Sequence, residues 1–363
     1  MGQALILLVP LYRSGFRWRF RLGLHGIGLR SIGKVGGWTF GVVILDQVGA
    51  WFSTRLVSGA PAAALTDLFG PYLGDTTREG LVTGIVASAP GAFTVAGPAA
   101  YSQALMIYLL PHSLVTVSIA TALFTGMSKS AAAGDIDRVR FDLSRGLRII
   151  TVFTLFAAAV LVVLALPVTK LLLPTSGASS AAAVAEILVP LAIGLVPLGG
   201  MVLMRWVYFA FEDGKGVFMI QLVQTPLFMA GCWVAVTVLP GQWWAVGIAV
   251  AFTFARIVVV VLRASGLRRM LHGIDGARIA GLLVRASLAT GASVVTGFAV
   301  RLLFGDLYGL SWMTALVVTV VVTAVMGVTY VAVLRLLRVQ ELTDVLRPFA
   351  ARLRPLTSRI RRR

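Results

Sequence analysis

The sequence predicts an all-α integral membrane protein, a polytopic bundle of about eight full transmembrane helices preceded by an N-terminal partial helix. Three observations predict it. Hydrophobic residues make up 58% of the 363 and charged residues 13%, at a mean hydropathy of +0.91, where a soluble domain carries about 25% charged residues. The apolar residues come in blocks of the length, about 20 residues, that spans a ~30 Å bilayer core as a helix. The basic residues lie mostly between the blocks, where cytoplasmic loops would be.

The elements are taken in chain order. Met1–Tyr12 is apolar but short, with no basic start and no small-residue cleavage site. It reads as the tail end of a transmembrane helix rather than a signal peptide. Eight spans are placed at Ile32–Val57, Pro98–Met127, Ile149–Leu173, Ala182–Phe211, Val217–Leu239, Trp243–Leu262, Leu282–Phe304 and Trp312–Leu334. Leu65–Gly80 holds three acids and reads as an exposed loop. Leu81–Gly97 is broken by Pro90, Gly91 and Gly97 and reads as a re-entrant segment or an external hairpin. Ser128–Arg148 reads as an amphipathic helix along the inner surface, feeding the third span. Glu212-Asp213-Gly214-Lys215-Gly216 is a tight polar turn. Residues 1–346 form one transmembrane domain, and residues 347–363 a basic cytoplasmic tail suited to anionic lipid.

Charge tests this order. Loops assigned inside hold 26 of the 32 basic residues, Arg263 among them, whereas those assigned outside hold Arg78 beside Asp67, Asp75, Glu79 and Asp306. The asymmetry places both ends of the chain in the cytoplasm of a bacterial inner membrane. The net charge of +18 therefore reports topology and not nucleic-acid binding. One cysteine, Cys232, excludes an internal disulfide, and three histidines leave little for a metal site. No HExxH, Walker A or GxSxG motif occurs, so neither an enzyme nor a cofactor is expected.

Ionisable groups within a bilayer cost about 2.5–3.5 kcal/mol each on insertion scales and mark candidate sites. Asp46 lies near the midplane of its span. Thr39, Asp46 and Ser53 recur every seven residues and share a face. A role in substrate or proton handling and a structural hydrogen bond are both open for Asp46. Arg256 lies about eight residues from the inner end of its span, roughly 12 Å deep, placed to pair with Asp46 or to meet an anionic substrate. Tyr101, Tyr108, His112 and Thr116 share a face of the second span, interrupted by Pro111, with Gln103 nearby. His112 is either a proton relay or a hydrogen-bonded bundle histidine. Arg205 reads as structural, and Gln221 and Gln224 as glue between helices. Pro190, Pro197 and Pro226 lie inside spans, as in the broken helices of transporters.

Several of these stretches occur in a familiar order. Leu110-Pro111-His112-Ser113 with Ser118-Ile119-Ala120-Thr121-Ala122-Leu123 resembles the eighth helix of MurJ/MviN-type lipid II flippases. Met127-Ser128-Lys129-Ser130-Ala131-Ala132-Ala133-Gly134-Asp135, then Leu143-Ser144-Arg145-Gly146-Leu147-Arg148, resembles the family's continuation from that helix. Tyr208-Phe209-Ala210-Phe211-Glu212-Asp213 is similar to the family's tenth-to-eleventh helix junction, and Phe16-Arg17-Trp18-Arg19 to its basic loop before the seventh helix.

The resemblance implies one half and more of a multidrug, oligosaccharidyl-lipid and polysaccharide exporter fold. It matches helices seven to fourteen of fourteen plus a stub of the sixth, with six family helices upstream of the match. It also implies transport of undecaprenyl-diphosphate-linked peptidoglycan precursor to the outer leaflet by alternating access, and other cell-wall synthesis proteins as partners. Asp46, His112, Arg256, Gln103 and Tyr108 would be the cavity residues, and the last two spans would hold the polyprenyl tail. Where the family often carries a cavity arginine in the eighth helix, this chain has Tyr101-Ser102-Gln103-Ala104, and Arg256 is the candidate substitute. A related exporter of other lipid-linked polysaccharide or of drugs, a non-transporting truncated or scaffold homologue and a membrane-embedded enzyme are the rival readings.

Overall fold

The computed structural model describes residues 29–69 and 96–339. The expectations for the N-terminal stub, the first basic loop, Leu81–Val95 and the basic tail lie outside these residues. The described helices are α1 (Leu29–Phe69), α2 (Pro98–Pro111), a π-helical turn (His112–Val117), α3 (Ser118–Ala132), α4 (Ile136–Val163) and α5 (Ala165–Leu172). They continue with α6 (Ala178–Ile193), α7 (Leu195–Ala210), α8 (Gly214–Val238), a 3-10 turn (Gly241–Trp243), α9 (Trp244–Met270), α10 (Gly276–Leu302) and α11 (Trp312–Leu336). Among the described residues seven spans are long and apolar enough to cross a membrane, α2 and α3 counting as one with the turn between them. The pair α6–α7, bent by 51° at Gly194, makes the eighth. In hydrocarbon every backbone polar group needs an internal partner, which helices supply, and every expected span is helical here, the third and fourth each as two helices.

The centre of the bundle is the α6–α7 pair. Ile187, Leu188, Leu191, Leu195 and Leu203 have no exposed surface. Apart from Glu186 and Arg205 the pair is mostly apolar, as suits helices largely enclosed by other helices. It packs against α2, α4 and α9, while α1 pairs with α8, and α10 with α11. Close approach at the centre depends on Gly199, where a Cβ would lie 2.5 Å from Ile150 Cγ2 on α4. The last two helices are tied to each other by Ser293 Oγ, which donates to Met326 O at 3.0 Å, and α11 is tied to α4 by Tyr330 Oη, which donates to Val152 O at 2.8 Å.

Three expectations are corrected. Leu65–Phe69 belongs to α1 and not to a loop. An alanine-rich run carries the helix past Pro61, and Asp67 ends on the chain, accepting from Gly241 N at 2.7 Å. The segment after Gly134 does not lie along the inner surface. Asp135 caps α4 by accepting from Arg138 N at 3.0 Å, and α4 then runs unbroken for 28 residues into the membrane. Its polar start is one end of the span, with Arg138–Asp142 and Arg140–Asp137 ion pairs at 3.6 and 3.2 Å along it. The third span is also not one helix: it breaks at Leu164, which joins α4 to α5.

Candidate functional site

The sequence places one carboxylate and three arginines on three helices that converge. Asp46 lies on α1, Arg205 on α7, and Arg256 and Arg263 on α9. Asp46 is exposed along α1 rather than sealed within the bundle. Its Oδ1 accepts from Gln221 Nε2 of α8 at 2.8 Å, and Gln221 also donates to Thr225 Oγ1 at 3.3 Å. Pairing of Asp46 with Arg256, one of the two alternatives the sequence left open, is not the contact made: Arg256 donates to Tyr108 Oη. All three arginines act on Asp46 through the electrostatic field, but among the described residues none forms an ion pair with it. One acid within the field of three bases leaves this region with a net positive charge.

Arg256 is 8% exposed. Its guanidinium lies 3.9 Å from the centroid of Phe252 and 5.3 Å from that of Tyr108, and Nη1 donates to Tyr108 Oη. Tyr108 in turn donates to Gly194 O at 3.1 Å, at the break between α6 and α7. Arg256 Nε is buried without a partner. His112 comes one turn after Tyr108. Pro111 withholds a backbone N–H just before it, and the chain takes the π-helical turn that carries His112 and Thr116 inward. His112 Nδ1 and Thr116 Oγ1 are buried and unpartnered, and the fields of Arg256 and Arg205 reach the imidazole.

Four of the five sequence candidates therefore lie around one region: Asp46, Tyr108, His112 and Arg256. Gln103 does not share the face of Tyr108. Five residues earlier on α2, it is turned about 140° around the helix axis and is only half-buried.

Arg263 is the residue that sequence reasoning assigned elsewhere, to an inner loop. It has no exposed surface. Nη1 donates to Met201 O at 2.5 Å, while Nε and Nη2 have no partner. Tyr208 Oη donates to Arg263 O at 3.3 Å, and Gly266 makes room for that phenol, which a Cβ there would strike. The available signal was spacing: Arg263 lies seven residues after Arg256 and shares its face.

Buried guanidinium groups with unused donors in a low-dielectric interior suit a multivalent anion. Their planar forks match phosphate oxygens two at a time, and the low dielectric of the interior strengthens each contact. No cluster of three or more metal-ligating side chains occurs among the described residues.

A family model described as lipid II flippase MurJ matches residues 79–338. The chain belongs to the MurJ family. Among solved structures, lipid II flippase MurJ in an inward closed conformation superposes on this MurJ-family chain with a TM-score of 0.53 at 14% identity. The match covers 89% of this chain and 58% of that one, so the chain spans 58% of that protein's length. At this identity the likeness shows the fold. Among curated proteins none matches.

Proposed function

We propose that this MurJ-family chain takes part in moving lipid-linked peptidoglycan precursor, an undecaprenyl-diphosphate sugar, from the inner to the outer leaflet of the bacterial cytoplasmic membrane. The observation that carries the reading is the pair of buried arginines on one face of α9, Arg256 and Arg263, each with guanidinium donors left without a partner, in a member of a flippase family. The obstacle to flipping is the passage of a charged, sugar-bearing head through ~30 Å of hydrocarbon. The work is binding and release without covalent chemistry. The diphosphate engages the arginine donors, Asp46 keeps the cluster from being charged beyond what the bundle tolerates, and the tail stays in lipid along α10 and α11. Alternating access then exposes the cluster first to one side and then to the other. The basic loops and tail rest on anionic lipid, with both ends of the chain cytoplasmic, and other cell-wall synthesis proteins are the expected partners.

The test is lipid II binding and flipping by the full chain reconstituted in proteoliposomes. A charge-assisted hydrogen bond contributes about 1.5–3 kcal/mol, so Arg256→Gln should weaken binding roughly 10- to 150-fold. Asp46→Ala should lower flipping without the same loss of binding. If both variants flip lipid II at the native rate, the assignment of these residues fails. Preference for another polyprenyl-linked saccharide would move the chain to a sister exporter activity. Binding without flipping would make it a scaffold.

A further inference from the structure

The break in the central helix is held by two side chains that reach it from outside, and one of them also holds Arg256. Pro190 and Pro197 lack the N–H groups that would continue the α6–α7 ladder. At the break Gly194 N turns to Leu191 O at 2.8 Å. That releases Pro190 O, the carbonyl a regular helix would have offered it. Thr253 Oγ1 of α9 donates to Pro190 O at 2.8 Å. Tyr108 Oη of α2 donates to Gly194 O at 3.1 Å, although that carbonyl already accepts from Leu198 N at 3.0 Å. A phenol has one proton. Since it goes to Gly194 O, Tyr108 can only accept from Arg256, and Nη1 donates to it. The result is a polarised chain from guanidinium to phenol to carbonyl, in which each bond strengthens the next.

We infer that Tyr108 and Thr253 are positioning residues that clamp the α6–α7 break, and that a diphosphate engaging Arg256 loosens the clamp by drawing the guanidinium off Tyr108. The second half of this inference rests on the proposed diphosphate binding, and the first does not. An anion competes for the same donors that polarise the phenol. Once Arg256 turns to it, Tyr108 loses its donor, its bond to Gly194 O weakens, and the bend is free to change. Headgroup occupancy thereby sets the shape of the helix at the centre of the bundle. Tyr108 acts on the helix through Gly194 O and on the ligand only through Arg256.

Spin labels at Ser180→Cys and Ala210→Cys report the bend in the full chain in lipid nanodiscs, because buried Cys232 stays unlabelled. Two 16-residue helices bent by 51° are shorter end to end than a straight helix by about 4–5 Å, at a rise of 1.5 Å per residue. Without ligand, the native chain should give one narrow distance distribution. Tyr108→Phe keeps the ring against Arg256 and removes only the oxygen, and Thr253→Val keeps the shape and removes only the hydroxyl. Each should broaden or lengthen the distribution toward the straight value. An unchanged distribution in both variants overturns the clamp.

Undecaprenyl diphosphate is then added, with undecaprenol as the control that lacks the anion. The native chain should move as Tyr108→Phe does, Tyr108→Phe should move no further, and undecaprenol should change nothing. Undecaprenyl diphosphate that is retained by the native chain but leaves the distance unchanged overturns the coupling and spares the functional reading. Failure of the native chain to retain it overturns the functional reading, and the coupling with it, while the ligand-free distances still decide the clamp.

Discussion

Gly194→Ala is the smallest change that should disturb the central break. Gly194 has ordinary right-handed dihedrals, φ −71° and ψ −5°, so alanine meets no backbone strain there. The difficulty is space. A Cβ would lie 2.7 Å from Thr253 Oγ1 and 3.0 Å from Leu191 O. Thr253 cannot yield without giving up its bond to Pro190 O. Overpacking of a close-packed interior costs about 1–3 kcal/mol, and a hydroxyl bond between membrane helices is worth roughly 0.6 kcal/mol on average. Gly194→Ala should therefore destabilise by about 2–3 kcal/mol in reversible SDS unfolding from mixed micelles, followed by circular dichroism. Thr253→Ala removes the colliding oxygen and should cost only about 1 kcal/mol or less. In the double variant the closer of the two contacts is gone and only Leu191 O at 3.0 Å remains, so the combined loss should fall short of the sum of the single losses by about 1 kcal/mol. Additive losses, or no loss from Gly194→Ala, would refute the packing described at the break.

Two further outcomes are expected. Cys232 has no exposed surface, so in folded protein a membrane-permeant maleimide should label it far more slowly than in SDS. Fast labelling would mean that α8 is not seated as described. Thr175 lies exposed between α5 and α6, and Ala133 exposed between α3 and α4. In intact cells an impermeant maleimide should label Thr175→Cys and spare Ala133→Cys until the membrane is opened, and the reverse pattern would invert the topology.

The spans were legible because hydropathy and charge blocks are properties of composition along the chain, and the membrane reads them in the same way. What escaped was local geometry that composition does not encode. Asp67 looked like a loop residue because it is charged, yet its carboxylate serves as the acceptor that closes α1 onto the turn before α9. The basic start of α4 looked like a surface helix because charges and apolar residues alternate there. Only the Asp135 cap and the continuous backbone show that it is the end of the span. Arg263 was placed in a loop because a hydropathy window ends at a charge. Hydropathy cannot separate an arginine that reaches water from one that a neighbouring carbonyl holds inside. The prolines at 190 and 197 announced a weak point but not its position at Gly194, which depends on Thr253 and Tyr108 arriving from other helices. In the candidate site, Tyr108, His112 and Arg256 were legible from spacing and depth. Their mutual arrangement was not, because it depends on how α2, α7 and α9 cross.

Arg263 gives the sharpest separation between holding the fold and serving the ligand. A wholly structural buried arginine would have its donors occupied, since desolvating a guanidinium costs several kcal/mol unless its hydrogen bonds are met. Arg263 meets this at Nη1 through Met201 O and leaves Nε and Nη2 unmet, with Arg205 adding like charge from the neighbouring helix. Its presence in this form is a burden on the bundle, of the kind proteins carry where function requires it. Methionine has similar length, no charge, and the flexibility to fill the same space. Arg263→Met should therefore leave the unfolding free energy unchanged or raise it, by up to roughly 1–4 kcal/mol as in other replacements of buried ionic groups. The same variant should weaken lipid II binding about 10-fold or more, one charge-assisted contact being lost. A chain that loses stability on this substitution would show Arg263 to be a structural tie between α7 and α9, and the cluster would then reduce to Arg205 and Arg256.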